Sequence, residues 1–393
     1  MQKQMFQMFF KKLNGDFAVT YWDGTTEHYG HSAPTFRLEF HKKIPYIELI
    51  KDPVLAFGEA YMDGAIEIHG EMDEIIKILN INKESFKQTR NNPSLTRLLP
   101  DRLRQKPLRK CQEDVSFHYD LGNDFFSLWL DETMCYSCAY FQKPEDSLRR
   151  AQEQKMEHVL KKLQLHPGET LLDIGSGWGG LILRAAQKYK VKAMGITLSR
   201  EQYQETLSRI KKLCLTGQVE VALMDYRQLA KTGRTFDKIA SIGMFEHIGQ
   251  ANYAQFMLSL KKLLKEGGLT LLHTITKTKE APVNSWTAKY IFPGGYIPSL
   301  REIMWLLPEY DFHVIDLESL RLHYAMTLDR WQAGFDQKID QIKEKYGERF
   351  IRMWRFYLST SAASFRYSDL SVHQFLFSGG LNNSLPLTRR HLY

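Results

Sequence analysis

The segment Thr170-Leu-Leu-Asp-Ile-Gly-Ser-Gly-Trp-Gly-Gly-Leu181 holds the first residues whose types and spacing can do chemistry. Leu171, Leu172 and Ile174 suit a strand buried on both faces. The glycines that follow, Gly175, Gly177, Gly179 and Gly180, let backbone pass close to a bound molecule. Asp173 stands at the end of the strand, at the mouth of the crevice such a turn creates. Gly175, Gly177 and Gly180 satisfy the G-x-G-x-x-G spacing of dinucleotide sites, but that use calls for an acid about 20 residues on, at the end of the second strand. Here that strand ends Gly195-Ile-Thr-Leu-Ser199, without one.

A methyl donor fits better. The D-x-G-x-G arrangement of Asp173, Gly175 and Gly177 is the one that S-adenosylmethionine methyltransferases place after their first strand. Asp225, in Leu223-Met-Asp-Tyr-Arg227, stands at the end of the third strand, where those enzymes hold the adenine amino group.

The elements that position these residues alternate regularly. An amphipathic helix over Asp146 to Leu165, stopped by His166-Pro-Gly168, delivers the chain into the glycine strand. A helix follows from Leu181 to Lys188, then a strand from Val191 to Leu198. Ser199 and Gln202 have the spacing of a capping box for the next helix, Arg200 to Leu213. Strands at Val219 to Leu223, Phe236 to Ile242 and Leu269 to Ile275 and a helix at Tyr253 to Lys265 complete the series. Such alternation implies an α/β fold: a Rossmann-like, doubly wound parallel sheet with its ligand at the carboxyl ends of the strands.

The pattern breaks at an aromatic insertion over about 281–310, which suits a lid or substrate wall. A further strand is expected at His313 to Leu317, and the stretch Leu328 to Leu376 reads as mostly helical packing. Ahead of all this, residues 1–86 read as a small α+β domain. It has a hairpin over Phe17 to Tyr29 turning at Asp23-Gly24, and helices over Leu55 to Ala65 and Met72 to Leu79. Residues 87–110, with eight basic residues against the single acid Asp101, read as a linker; the methyltransferase domain then covers 111–393.

The 393 residues are ample for two domains, and the formal net charge of +8 favours an anionic partner: nucleic acid, an acidic substrate or a phospholipid surface. Four cysteines make no disulfide framework, and a reducing cytoplasm is expected. Cys135-x-x-Cys138 has no second pair of zinc-like spacing, so no metal is expected. No apolar run approaches a bilayer span, so membrane contact would be peripheral.

Eight motifs carry a closer likeness: His118-Tyr-Asp-Leu121, Tyr136-Ser-Cys-Ala-Tyr-Phe141, Leu172 to Gly180, Gly195 to Ser199, Ser241-Ile-Gly-Met-Phe-Glu-His-Ile-Gly249, Leu272-His-Thr-Ile275, Tyr290-Ile-Phe-Pro293, and His323-Tyr324 followed by Thr327-Leu328. In this order they resemble the cyclopropane-fatty-acyl-phospholipid synthases and their relatives that modify mycolic acids. Gly58-Glu-Ala-Tyr-Met-Asp-Gly64 extends the likeness to the phospholipid-modifying branch. The resemblance implies a class I S-adenosylmethionine methyltransferase fold and methylene transfer to the cis double bond of an unsaturated phospholipid acyl chain. A methyltransferase acting on a different lipid, or a non-catalytic lipid-binding protein, is the alternative.

The resemblance also implies residue roles. Bicarbonate would be the proton acceptor, bound by Cys138, Glu246, His273, a backbone group of Ile275, and Tyr324. The cofactor set would be Tyr119, Tyr136 and Ser137, then Asp173, Gly175, Gly177 and Gly179, Thr197, Leu198 and Gln202 near the ribose, and Asp225 and Tyr226 near the adenine. Aromatic residues around 117–141 and 286–296 would stabilise positive charge on the chain by cation-π attraction. The partner implied is an anionic bilayer surface rather than nucleic acid, with the protein cytoplasmic and peripherally membrane-associated. A homodimer would let two sites engage one membrane. Ser176 departs from the cysteine common in these relatives, and Gly294-Gly295 replaces a more polar pair.

Overall fold

The computed structural model describes residues 2–83, 121–280 and 282–392. The expected basic linker, the domain boundary at 86, Cys111 and Tyr119 lie outside them. The chain divides into two compact units. One comprises Met1–Leu99, Val283–Ile291 and Leu328–Asp369; the other comprises Pro100–Pro282, Phe292–Thr327 and Leu370–Tyr393.

In the first unit the expected hairpin forms. Strand β1 (Phe17–Thr20) pairs antiparallel with β2 (Thr26–Tyr29) around Asp23-Gly24, where Gly24 takes a positive φ of 79°. Strands β3 (Phe36–Phe40) and β4 (Ile66–Gly70) extend the sheet to the order β2-β1-β3-β4. Its buried face is aromatic, with Phe17 stacked between Tyr29 and Phe36 at centroid distances of 5.0 and 5.3 Å.

Two later segments, expected from sequence in the methyltransferase domain, complete this unit instead. The reason is packing. Gly58 leaves room for the indole of Trp286, since a Cβ there would stand 2.2 Å from Trp286 Cδ1, and Trp286 Nε1 donates to Met62 Sδ at 3.2 Å. On the helix Glu348–Tyr367, the Arg352 guanidinium lies 4.3 Å from the Tyr61 ring centroid and donates to the carbonyls of Tyr61 at 2.5 Å and Ile66 at 2.9 Å. Trp286, expected as part of a lid or substrate wall, is therefore a core residue of this unit.

The second unit is built on seven strands: β5 (Thr170–Ile174), β6 (Lys192–Thr197), β7 (Val219–Leu223), β8 (Phe236–Ile242), β9 (Leu264–Lys277), β10 (Phe312–Ser319) and β11 (Leu370–Gly379). Their order is β10-β11-β9-β8-β5-β6-β7, with β7, β6, β5, β8 and β9 successively parallel. Helices cover both faces, burying one apolar cluster around Leu172, Ile239, Phe245, Phe256 and Leu272 and another around Leu171, Ile182, Val191 and Leu271. This is the expected doubly wound fold.

Two details differ from expectation. Leu370–Gly379 is not part of the C-terminal helical stretch: it is a strand inserted antiparallel between β9 and β10. Val372, Phe375 and Phe377 are wholly buried in it, and the continuous buried run 374–378 reflects insertion between two strands that lie more than 50 residues back. The capping box at Ser199 is half formed. Ser199 Oγ accepts from Gln202 N at 3.3 Å, but Gln202 Oε1 takes its hydrogen bond from Thr197 Oγ1 at 2.7 Å instead of reaching back to the cap.

Candidate active site

At the carboxyl ends of β5, β6 and β8 lies a cleft lined by the glycine turn and the strand ends. The turn after β5 shapes its floor. The N–H groups of Gly175 and Ser176 both donate to Ile196 O, at 2.9 and 3.0 Å, fastening the turn to β6. Gly175 has a φ of 82°, and a Cβ there would stand 2.8 Å from Met244, so only glycine fits without strain.

Of the cofactor residues expected from sequence, Tyr136, Ser137, Asp173, Gly175, Gly177, Thr197, Leu198, Gln202, Asp225 and Tyr226 all line this cleft. Gly179 does not. It caps the helix Gly180–Tyr189 at a φ of 81°, and a Cβ there would meet Thr206 Cγ2 at 2.6 Å, so its service is to helix packing. Asp225 lines the cleft with its carboxylate already engaged: it caps the short helix Tyr226–Leu229 and accepts from Arg227 N, Nε and Nη2 at 2.8, 2.7 and 3.1 Å.

Asp173 is 3% exposed, and its Oδ1 has no partner among the described residues. Burial pushes its carboxyl up to about 7, with the Lys155 charge opposing. A cationic ligand beside it would restore the carboxylate, and S-adenosylmethionine carries both an ammonium and a sulfonium. The cleft therefore suits that cofactor by its lining and by charge.

Sequence reasoning missed how the Cys135–Ser137 wall is held. Gln152 and Lys155, one turn apart on the helix Leu148–Lys162, are both buried. Gln152 Nε2 donates to the carbonyls of Cys135 and Ser137 at 3.3 and 2.9 Å, and Lys155 Nζ donates to Ser137 Oγ at 2.8 Å. The signal was present as two polar residues on the apolar face of an amphipathic helix.

The five residues expected around the proton acceptor are linked through the strand ends. Ile275 on β9 faces Val372 on β11, and Val372 O accepts from Leu320 N at 2.8 Å. Leu320 O accepts from Tyr324 N at 3.1 Å and lies 3.9 Å from Cys138 Sγ. Two residues before Ile275, His273 pairs with Gln374, whose Nε2 lies 3.2 Å from His273 Nδ1. Glu246, just beyond β8, places Oε1 2.6 Å from Ile275 N. The Ile275 N–H is thus engaged by Glu246, which makes Ile275 an anchor for that carboxylate.

Burial shifts the protonation of each group. Burial pushes the Cys138 thiol well above its usual range, so it is a neutral donor. Burial holds His273 down at about 3, so the ring is neutral. With Gln374 donating to Nδ1, the ring proton sits on Nε2, which is buried and has no partner among the described residues. Burial raises Glu246 to about 7, and its Oε2 is likewise unpartnered among them. One open N–H donor and one open carboxyl oxygen fit an anion with a hydroxyl, and bicarbonate has that form.

Neighbouring residues clamp the cysteine segment. Ala139 N donates to Thr327 Oγ1 and Phe141 N to His323 Nδ1, both at 3.0 Å, while Tyr140 is stacked between His158 and His323 at 4.3 and 4.8 Å. His323 and Thr327, legible in the sequence only as motif letters around Tyr324, therefore align one wall of the site.

Sheet order, glycine cradle and cleft together define a class I S-adenosylmethionine-dependent methyltransferase. A model described as mycolic acid cyclopropane synthetase matches residues 106–375, and a second, described only as a domain of unknown function, matches residues 4–91. The chain belongs to the mycolic acid cyclopropane synthetase family. It is 37% identical over 385 residues to a probable fatty acid methyltransferase of Pseudomonas putida, covering 95% of each chain. It is 38% identical to the cyclopropane-fatty-acyl-phospholipid synthase of Escherichia coli K12, covering 89% of this chain and 88% of that one. Among solved structures, the mycolic acid cyclopropane synthase CmaA1 complexed with SAH and CTAB superposes with a TM-score of 0.64 at 34% identity, covering 70% of this chain and 99% of that one.

Proposed function

We propose that this protein transfers a methylene group from S-adenosylmethionine to the cis double bond of an unsaturated phospholipid acyl chain, with bicarbonate as the proton acceptor. One observation carries the acceptor assignment: His273 Nε2 and Glu246 Oε2 are buried, adjacent to the cleft strands, and without partners among the described residues. The likeness to the Escherichia coli enzyme over nearly the whole chain supports the phospholipid substrate.

In the reaction the alkene π pair forms a bond to the sulfonium methyl carbon as the C–S bond breaks, and the chain is left with positive charge. The C–H electron pair of the added methyl then closes the three-membered ring as its proton leaves. Bicarbonate, when bound, supplies the oxygen that takes this proton. The protein's part is to hold that oxygen in place: neutral His273 donates and Glu246 accepts, anchored by the Ile275 N–H, while the Cys138 thiol, which donates to Ala139 O at 3.2 Å, would have to turn from that carbonyl to join them. Tyr136, its ring centroid 5.3 and 5.6 Å from those of Phe126 and Trp129, lines the cleft, and a cation over its ring there would gain roughly 0.5–2 kcal/mol of cation-π attraction.

Docking on an anionic bilayer accompanies this reading. Its support is the net charge of +8 and the basic composition of residues 87–110. No helix among the described residues is long and apolar enough to cross a membrane.

Incubation with labelled S-adenosylmethionine and vesicles of unsaturated phospholipid tests the proposal. The acyl mass should rise by one CH2 while the olefin disappears, and activity in CO2-free buffer should return on adding bicarbonate. A methylated product that keeps its double bond would overturn the ring-closing assignment.

A further inference from the structure

Lys155 is a buried cation that forms no ion pair among the described residues, although its charge reaches the buried carboxyl of Asp173. It is 3% exposed, and among the described residues its ammonium has one hydrogen-bond partner, the neutral hydroxyl of Ser137 at 2.8 Å. Two of its three donors are unused there. Lys162 on the same helix, equally enclosed, shows how this fold treats a buried lysine whose role is purely structural, since it pairs with Asp316 at 3.2 Å and Glu318 at 2.6 Å. An ammonium removed from water without such compensation is costly.

What distinguishes Lys155 is its place. Lys155 and Ser137 line the cofactor cleft together with Asp173, whose Oδ1 is unpartnered among the described residues. The cleft wall therefore offers a cation with two open donors and a carboxyl with an open oxygen. A zwitterionic α-amino acid group, with ammonium and carboxylate on one carbon, presents the complementary pair. We infer that Lys155 is the counter-charge for the α-carboxylate of bound S-adenosylmethionine, with Ser137 as its hydroxyl partner and Asp173 facing the α-ammonium. This rests on the cofactor assignment above and is independent of the acyl substrate and of bicarbonate.

The alternative anion is one at the Cys138–His273 end, since the Lys155 charge also reaches both of those groups. Ligands that differ only at the amino acid group separate the two. Calorimetry would compare wild type, Lys155→Met and Lys155→Arg with three probes: S-adenosylhomocysteine, its decarboxylated analogue, which keeps the amine, and 5′-methylthioadenosine, which lacks both charges. Loss of a charge-assisted contact predicts that Lys155→Met weakens S-adenosylhomocysteine about tenfold or more, while changing the other two ligands less than about twofold. The preference of wild type for the carboxylated ligand should vanish in Lys155→Met and survive in part in Lys155→Arg. The ligand-free methionine variant should melt no lower than wild type, because an unpaired buried charge has been replaced by an apolar chain of similar length.

Equal weakening of all three ligands would make Lys155 merely structural and overturn the inference. Unchanged S-adenosylhomocysteine affinity with a raised bicarbonate requirement would also overturn it, moving the anion to the other end. If Lys155→Met fails to fold, Ser137→Ala carries the same comparison, with selective loss for the carboxylated ligand expected. Failure of wild type to bind S-adenosylhomocysteine at all would instead refute the cofactor assignment.

Discussion

Glu246 Oε1 lies 2.6 Å from the backbone nitrogen of Ile275, tying the end of β8 to the end of β9. The bond fixes one carboxyl oxygen and leaves the other, buried, for a ligand. Glu246→Gln can keep the first contact through its amide oxygen while replacing the second oxygen by a donor. Turnover should fall by about 10²-fold or more, the usual range for a misplaced proton acceptor, while S-adenosylhomocysteine affinity stays within about twofold. Unchanged turnover would remove Glu246 from the reaction.

The same carboxyl gives ligand-free stability a pH dependence. Burial raises Glu246 from its ordinary 4.5 to about 7, so between those values the folded chain keeps a proton that the unfolded chain has released. Stability therefore falls as pH rises through this window, and the loss is complete above about 7. Glu246→Gln lacks the effect. Relative to the variant, wild type should lose on the order of 2–3 kcal/mol between pH 4.5 and 7.5 in denaturant titrations; parallel curves would contradict the burial argument.

Gln374 sets the tautomer of His273 through Nδ1 at 3.2 Å. Gln374→Leu should free the ring proton to redistribute, visible as a change in the two ring nitrogen shifts by NMR. Turnover should fall roughly tenfold, in line with the about 1–3 kcal/mol cost of an unsatisfied buried group. Because His273 is held at about 3, no activity limb from its protonation is expected between pH 5 and 8.

Lys162 is held by Asp316 and Glu318, and His158 Nε2 lies 2.6 Å from Glu318. Burial pushes Glu318 up, but His158 and Lys162 outweigh it and bring the carboxyl down to about 2. The stabilisation it contributes is present above its ordinary 4.5 and is lost as pH falls toward 2. Lys162→Met should cost about 3 kcal/mol at neutral pH, less at pH 3, by equilibrium unfolding. A pH-independent cost would assign the effect to packing.

Binding of the full chain to anionic vesicles should weaken as salt rises, because screening shortens charge attraction to about 8 Å at physiological ionic strength. Sedimentation across a salt series measures it. Salt-insensitive binding would point to apolar insertion.

Local pattern was sufficient for much of this protein. Alternating apolar strands and capped helices carried the parallel part of the sheet, because buried strands flanked by glycine turns leave a signature within a dozen residues. The D-x-G-x-G turn placed the cofactor end for the same reason, and the motif letters at 138, 246, 273 and 324 pointed to the far end. What depended on contacts far apart in the chain was invisible to that pattern. β11 read as helix because its partners on β10 and β9 lie more than 50 residues back. The first unit recruits Trp286 and Arg352 because Gly58 and the Tyr61 carbonyl lie where those side chains pack. Gly179 and Gly177 look alike in sequence, yet one meets Thr206 and the other lines the cleft. Lys155 is one more cation on an amphipathic helix until tertiary packing encloses it beside Ser137 and Asp173. Protonation and pairing are set by which groups are shut away from water together, and only the folded chain decides that.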